Sequence, residues 1–319
     1  MDHRGEPLLT LAQEGVLLTS RALEAGWAAR PLSRALRREG WTPVRAGVWV
    51  EPGRAVDLSV RLRAVQLLRP GLVVSHRSAA SVWGIETLSP VVRGSGPLEF
   101  IDPERAVRRQ GEGVLVHRMT LGAEETARHG GLRVTGVDRT LGDLLRAGPR
   151  DDALVSVESA LTRRRVGQVR RPPLTTRARI ALALEVPARG ADRAHGWLRL
   201  ADLSAGSPAE TVARLRLHEA GLRPEAQAEL RTPDGRRRYL DFLFRAEGLA
   251  VEIEGYAYHG TRESHRRDLT RFNEVLRCPE VRLLLRYTAA DVFHHPARMI
   301  EEIHVGLATL RDSGTYSCS

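Results

Sequence analysis

Lysine is absent from all 319 residues, so each of the 49 strongly basic side chains is an arginine. Arginine suits phosphate recognition through its planar fork of donors. Total replacement of one basic residue by the other is, however, the mark of biased codon usage and does not by itself point to a partner. Cysteine is nearly absent too. Cys278 and Cys318, the latter in a small polar tail, are too few and too ill-matched to suggest a disulfide framework or a zinc site. No apolar run reaches the roughly 18 residues of a membrane span, and the opening MDHRGEPLLT lacks the basic-then-apolar pattern of a secretory signal. These absences predict a cytoplasmic protein with no membrane partner. What is present is length enough for two or three domains with sizeable cores, and a formal net charge of +10. That excess favours an anionic partner such as nucleic acid.

Residues 238–259, RYLDFLFRAEGLAVEIEGYAYH, concentrate the chemistry. Two β-rich runs, 239–244 and 249–254, flank Arg245-Ala246-Glu247-Gly248, a loop of hairpin length with a glycine for its strained position. Pairing Phe244 with Leu249 sets Phe242 against Val251 and Leu240 against Ile253, a wholly apolar face. The same register forces Asp241 opposite Glu252, with Glu254 two residues along on the same side. Carboxylates opposed at roughly 5 Å destabilise a sheet unless something positive sits between them, and a divalent cation is the obvious occupant. The competing assignment is a solvated polar face neutralised by Arg231, Arg236, Arg237 and Arg238.

Asp241-x10-Glu252-x-Glu254, then Tyr258-His259, SHRRDLTRFNEVL (264–276) and VRLLLRYTAADV (281–292), resembles the domain of unknown function 559. That group is similar to the very short patch repair endonucleases of the PD-(D/E)XK nuclease superfamily, and the likeness covers about 207–303. It implies a restriction-endonuclease-like α/β domain in which Asp241 and Glu252 hold Mg2+ or Mn2+, with Glu254, Glu210 and His259 assisting catalysis. Arg267 and Arg271, one turn apart on a helix expected over 262–276, would neutralise a cleaved phosphate. On that helix Leu269, Phe272 and Leu276 are expected to face the core. His259 has a plain alternative as a loop residue packed beside Tyr256 and Tyr258. Glu210 has one as the third helical residue of a Ser207-Pro208-Ala209-Glu210 capping box. The chain departs from the superfamily pattern at Glu254, where a lysine often stands; very short patch repair enzymes also lack it.

Residues 10–50 carry a helix-turn-helix pattern followed by a β-rich pair. Ser20 is expected to cap a short helix through Glu24, and a second helix to run over 31–39 and end at Gly40. On that second helix Leu32, Ala35 and Leu36 share one face and leave Ser33, Arg34, Arg37 and Arg38 outside, as a DNA-recognition helix would; an ordinary solvated surface helix has the same pattern. Thr42 to Arg45 and Val48 to Val50 would form a wing, with Arg45 among the residues that bind double-stranded DNA. GVLLTSRALEAG (15–26) and LSRALRREGWTPVRAGVWVEP (32–52) resemble the N-terminal winged helix of the AbiEi antitoxin group. VVSHRSAASVWGI (73–85) and LRVTGVDRTLGDLL (132–145) resemble the region that follows it, which implies an α/β middle domain. Helices are expected there over 58–68, 75–83, 135–145 and 152–162, and strands over 72–74, 97–101 and 113–117. No functional constellation is read in it; His76 could touch DNA, but at the first turn of a capped helix a plain surface or capping residue is the expected reading.

Seven arginines without an acid, around Pro172-Pro173, make 162–179 a solvated domain junction that can also grip phosphates. The expected layout is an α/β multidomain chain: winged helix 1–52, middle domain 53–170, helical linker 171–204, endonuclease-like domain 205–311 and tail 312–319. The function expected is DNA binding coupled to metal-dependent phosphodiester hydrolysis. The rival is a non-catalytic antitoxin-type regulator whose last domain only binds DNA or a partner, and a neighbouring toxin protein is a further candidate partner.

Overall fold

The computed structural model describes residues 6–89, 96–104, 113–166, 169–254 and 270–315. The chain is mixed α/β and divides into two compact units, 1–148 with 175–194, and 149–174 with 195–319. Among the described residues no helix is long and apolar enough to cross a membrane.

The first unit opens with α1 (Leu8–Leu11), β1 (Val16–Leu18), α2 (Thr19–Glu24), α3 (Ala29–Arg38), β2 (Thr42–Arg45) and β3 (Val48–Val50). Helical spacing puts Leu32, Ala35 and Leu36 on one face of α3, and all three bury against Leu8, Leu11, Leu17, Ala22 and Trp41. The expected hairpin forms, turning at Gly47 with φ +74°. A third strand, β1, adds to it through pairs such as Leu17 with Trp49. Two helix starts differ from expectation. α2 begins at Thr19 with Leu18 at its cap and no capping side chain, so Ser20 lies inside the helix. α3 begins at Ala29, two residues before Pro31.

Helix α4 (Leu58–Leu68) starts where the sequence predicts, because Asp57 Oδ1 accepts from Val60 N at 2.9 Å. Its two faces serve two clusters. Val60 and Ala64 pack with Val16, Val48 and Val50, while Leu62 and Val65 pack on a second sheet. One small cluster, of Val16, Val48, Val50, Val60 and Ala64, thus spans the boundary expected at 52/53. That second sheet comprises β4 (Val73–Val74), β5 (Leu98–Ile101), β6 (Val114–His117), β7 (Thr126–His129) and β8 (Leu132–Thr135), in the order β6-β5-β4-β8-β7. Helix α5 (His76–Val82) follows β4, and α6 (Val137–Ala147) follows β8 and packs on the helix Arg177–Leu184. Ser75 precedes α5 but makes no capping bond; its hydroxyl lies 3.0 Å from His76 Nδ1 instead.

The second unit is built on the antiparallel–antiparallel–parallel sheet β11 (Glu225–Arg231), β12 (Arg237–Phe244), β13 (Leu249–Glu254) and β14 (Leu283–Thr288), in that order. The stretch 162–179 is not a bare linker: β9 (Arg164–Val166) pairs with β10 (Val169–Arg171), and Arg164 is buried. Helix α7 (Arg150–Leu161) precedes that hairpin and packs on the helix Pro208–Glu219. Between these helices Glu158, fully buried, accepts from Arg214 at 2.6 Å, Thr211 Oγ1 at 2.6 Å and Asp202 N at 2.8 Å.

Candidate carboxylate site

The β12–β13 hairpin forms in the register that its apolar residues dictate, with Phe244 opposite Leu249, Leu243 opposite Ala250 and Phe242 opposite Val251. Gly248 turns it at φ +75°, where a Cβ would stand 3.0 Å from both Glu280 O and Arg282 Cγ. This is a position only glycine fits. Beyond Phe242 the ladder stops. Asp241 Oδ2 accepts from Ile253 N at 2.7 Å, so a side chain occupies the place of the next backbone rung. Asp241 and Glu252 are close without being a ladder pair, which corrects the strict opposition expected from sequence.

Leu240, Phe242, Leu249, Val251 and Ile253 are buried as expected. The other face is not a solvated polar one, however, because Leu243 and Ala250 bury there with Val275, Cys278 and Leu284. Glu252, only 6% exposed, is thereby set in an apolar wall. Burial, with Asp241 as the next cause and Arg271 opposing, pushes its carboxyl up to about 7. Burial likewise raises Asp241, and burial with Asp241's charge raises Glu210.

The third acid arrives from the helix Pro208–Glu219. Ser207 Oγ accepts from Glu210 N at 3.2 Å, the expected cap, while Glu210 Oε2 accepts from Gly206 N at 2.7 Å. The same Oε2 accepts from Gln227 Nε2 at 3.1 Å, and that amide nitrogen also donates to Asp241 Oδ1 at 3.0 Å. Glu210 is thus capped at its backbone by Ser207, while its carboxylate takes Gly206 N rather than Ser207 N and reaches Gln227 beside Asp241. Buried Arg164 adds a positive field on it. Gln227 lies within β11 at φ +47°, a left-handed backbone that a non-glycine residue adopts only when its surroundings enforce it. Nothing in its sequence context singles it out.

The described helical residues 270–275 show which way the helix after the hairpin faces. Val275 and Cys278 are buried and Leu276 is 54% exposed, the reverse of the expectation for Leu276. Arg271, one turn before Val275, consequently points at the sheet, donating to Glu252 Oε1 at 3.0 Å, Oε2 at 3.2 Å and Tyr239 O at 2.9 Å. Phe272 is half-buried beneath the Arg286 guanidinium, 3.4 Å from the ring centre, and Arg286 pairs with Glu254. Three of the four arginines expected to neutralise the face act elsewhere: Arg236 and Arg238 bind Glu274, and Arg237 binds Glu229. Leu269, Tyr256, Tyr258, His259 and Arg267 lie outside the described residues.

Four buried or half-buried polar groups, Glu210, Gln227, Asp241 and Glu252, therefore gather from four elements. Gln227 stands between two carboxylates and Arg271 on the third, the positions where a positive charge is needed. The donor set fits a hard divalent cation, which takes carboxylate and amide oxygens. In this form the acids do not close to metal-ligand spacing. Among the described residues the group whose ligand atoms lie within 4.8 Å of one another is His76, Glu99 and His117 in the first unit, which sequence spacing did not single out. His76 is buried rather than a surface residue. Burial first, then the charges of His117, Arg139 and Arg77, drive its imidazole down to about 3.

Ser33 on α3 is half-buried and Arg34, Arg37 and Arg38 are exposed, the face expected to meet DNA. Arg45 is half-buried at an irregularity of β2.

No family model and no curated protein matches the chain. Among solved structures the chain is similar to the RV2827C protein from Mycobacterium tuberculosis, with 20% identity over 69% of this chain and 84% of that one, at a TM-score of 0.39.

Proposed function

We propose that the second unit hydrolyses phosphodiester bonds of double-stranded DNA with a divalent cation held by Asp241 and Glu252, in the manner of the endonuclease group its motifs resemble. The observation that carries this reading is the convergence of Glu210, Asp241 and Glu252, buried or half-buried, where each carboxyl holds its proton more tightly than usual. Mutually repelling buried acids cost stability, and perturbed carboxyls of this kind gather at functional sites. A bound Mg2+ or Mn2+ supplies a Lewis acid for the phosphate and a more acidic water. Asp241 and Glu252 would hold it, Glu210 would orient water, and Arg271, released from Glu252, would meet the phosphate. His259, Glu254 and Arg267 keep the assisting roles that the resemblance implies. Ser33, Arg34, Arg37, Arg38 and Arg45 would grip duplex DNA as a winged helix.

One observation favours the non-catalytic regulator. Arg271 already covers both oxygens of Glu252, and Arg286 covers Glu254, so two of the acids are neutralised without an ion. Supercoiled plasmid incubated with the protein and Mg2+ or Mn2+ separates the readings. Hydrolysis predicts metal-dependent nicking that vanishes in Asp241→Asn and Glu252→Gln; no nicking by the wild type favours the regulator, and nicking that survives both variants comes from a contaminating nuclease and overturns hydrolysis at this site.

A further inference from the structure

A second cluster, in the first unit, has a donor set different in kind from the hairpin acids. Glu99 lies on β5 and His117 two positions beyond Glu99's partner on β6, so both project from the sheet face opposite Phe100 and Val116. His76 begins α5, which is stitched to the same strand: Ser75 N donates to Glu99 O at 3.0 Å, and Glu99 N donates to Ser78 Oγ at 2.9 Å. We propose that His76, Glu99 and His117 bind a zinc ion.

Two imidazoles and one carboxylate are a three-ligand set suited to Zn2+, leaving a fourth position for water. Glu99 Oε2 lies 4.0 Å from His76 Nδ1 and 3.4 Å from His117 Nε2. Tetrahedral coordination with bonds of about 2.0–2.1 Å needs ligand atoms roughly 3.3 Å apart, close to the spacings seen, although the two rings must turn to aim their nitrogens at one ion. His117 Nε2 is buried and, among the described residues, makes no hydrogen bond, although Glu99 Oε2 stands 3.4 Å away. A buried polar atom left unpaired is unfavourable, and a metal ion satisfies it.

The backbone points the same way. His76 is held at φ +49°, a strained conformation for a residue with a side chain, and its ring is 4% exposed rather than turned to solvent. It stacks on His117 with ring centres 3.7 Å apart and planes 19° from parallel. An ion in the plane of both rings requires them to splay, and the Ser75 hydroxyl to leave Nδ1. Arg77, 3.7 Å from Glu99, meets the other carboxylate oxygen, Oε1, and leaves Oε2 to the imidazoles.

The test is a Zn2+ titration against a chromophoric chelator, with Co2+ as spectroscopic probe. It uses the full chain stripped of metal and carrying Asp241→Asn and Glu252→Gln, so that the hairpin acids cannot contribute. One Zn2+ per chain and the intense visible bands of a tetrahedral Co2+ centre are expected. Glu99→Gln and His117→Gln should each weaken Zn2+ by roughly 100-fold or more, at the top of the range seen when a metal site loses even an outer partner. No stoichiometric binding by the folded parent overturns the proposal, as does affinity retained in both variants. Should a variant fail to fold, the parent's spectrum decides: weak bands of a six-coordinate Co2+ overturn it.

Discussion

Glu252 couples the site to pH. Its folded carboxyl titrates at about 7 against an ordinary 4.5, so the native state holds a proton that the unfolded state releases between those values. Stability from this group is therefore fully present below about 4.5 and lost as pH rises through about 7. Removing the charge while keeping the shape should help the metal-free protein at high pH. Glu252→Gln is expected to be more stable than wild type by about 1–2 kcal/mol at pH 8 and to lose that advantage near pH 4.5. Denaturant unfolding at the two values measures it, and a variant less stable than wild type at pH 8 would mean that the Arg271 pair outweighs burial. Gln227 makes a second residue-scale case. Gln227→Leu removes the amide that donates to Glu210 and Asp241 and should destabilise the metal-free protein by about 1–3 kcal/mol. Added Mn2+ should restore part of that loss in thermal melts; no restoration would show that the amide does not stand in for a cation.

At the scale of elements, the hairpin was legible because its signals agree: alternating apolar residues, a four-residue loop and Gly248 all dictate one register. β11 was not. Its residues, EAQAELR, are mostly strong helix formers, and pairing with β12 overrides that propensity. The Gly130-Gly131 turn between β7 and β8, with φ +52° and +73°, is a two-residue hairpin signal that the short flanking runs left inconspicuous. The facing of Arg271 depends on a helix phase in which Val275, not Leu276, is buried. The buried pair between α7 and the helix Pro208–Glu219 supports another prediction. Arg214→Ala leaves Glu158 charged and buried, and should cost roughly 3–5 kcal/mol, whereas replacing both partners with apolar residues should cost far less. Unfolding of the single and double variants checks this, and equal losses would contradict it. On α3, changing Arg34, Arg37 and Arg38 together to Ala should lower the slope of log affinity against log salt by about three units, one per lost phosphate contact. An unchanged slope in the folded triple variant would remove this helix from the DNA interface.

For the whole molecule, composition made the class legible and hid the divisions. A basic α/β chain follows from the sequence, but the sharing of α4 between two clusters and the inclusion of 149–174 in the second unit depend on contacts distant in sequence. His76, Glu99 and His117 are likewise scattered along the chain and meet only after β5 and β6 pair. The central claim is that the hairpin acids take a divalent cation in exchange for protons. Calorimetric titration of Mn2+ at pH 6 and pH 8, each in two buffers of different ionisation heat, tests it most directly; His117→Gln in the full chain removes the other candidate site. With Glu252 at about 7, binding should release about one proton or more per ion at pH 6 and far less at pH 8, and should vanish with Asp241→Asn. Binding with no proton release at pH 6, or undiminished in Asp241→Asn, would contradict it.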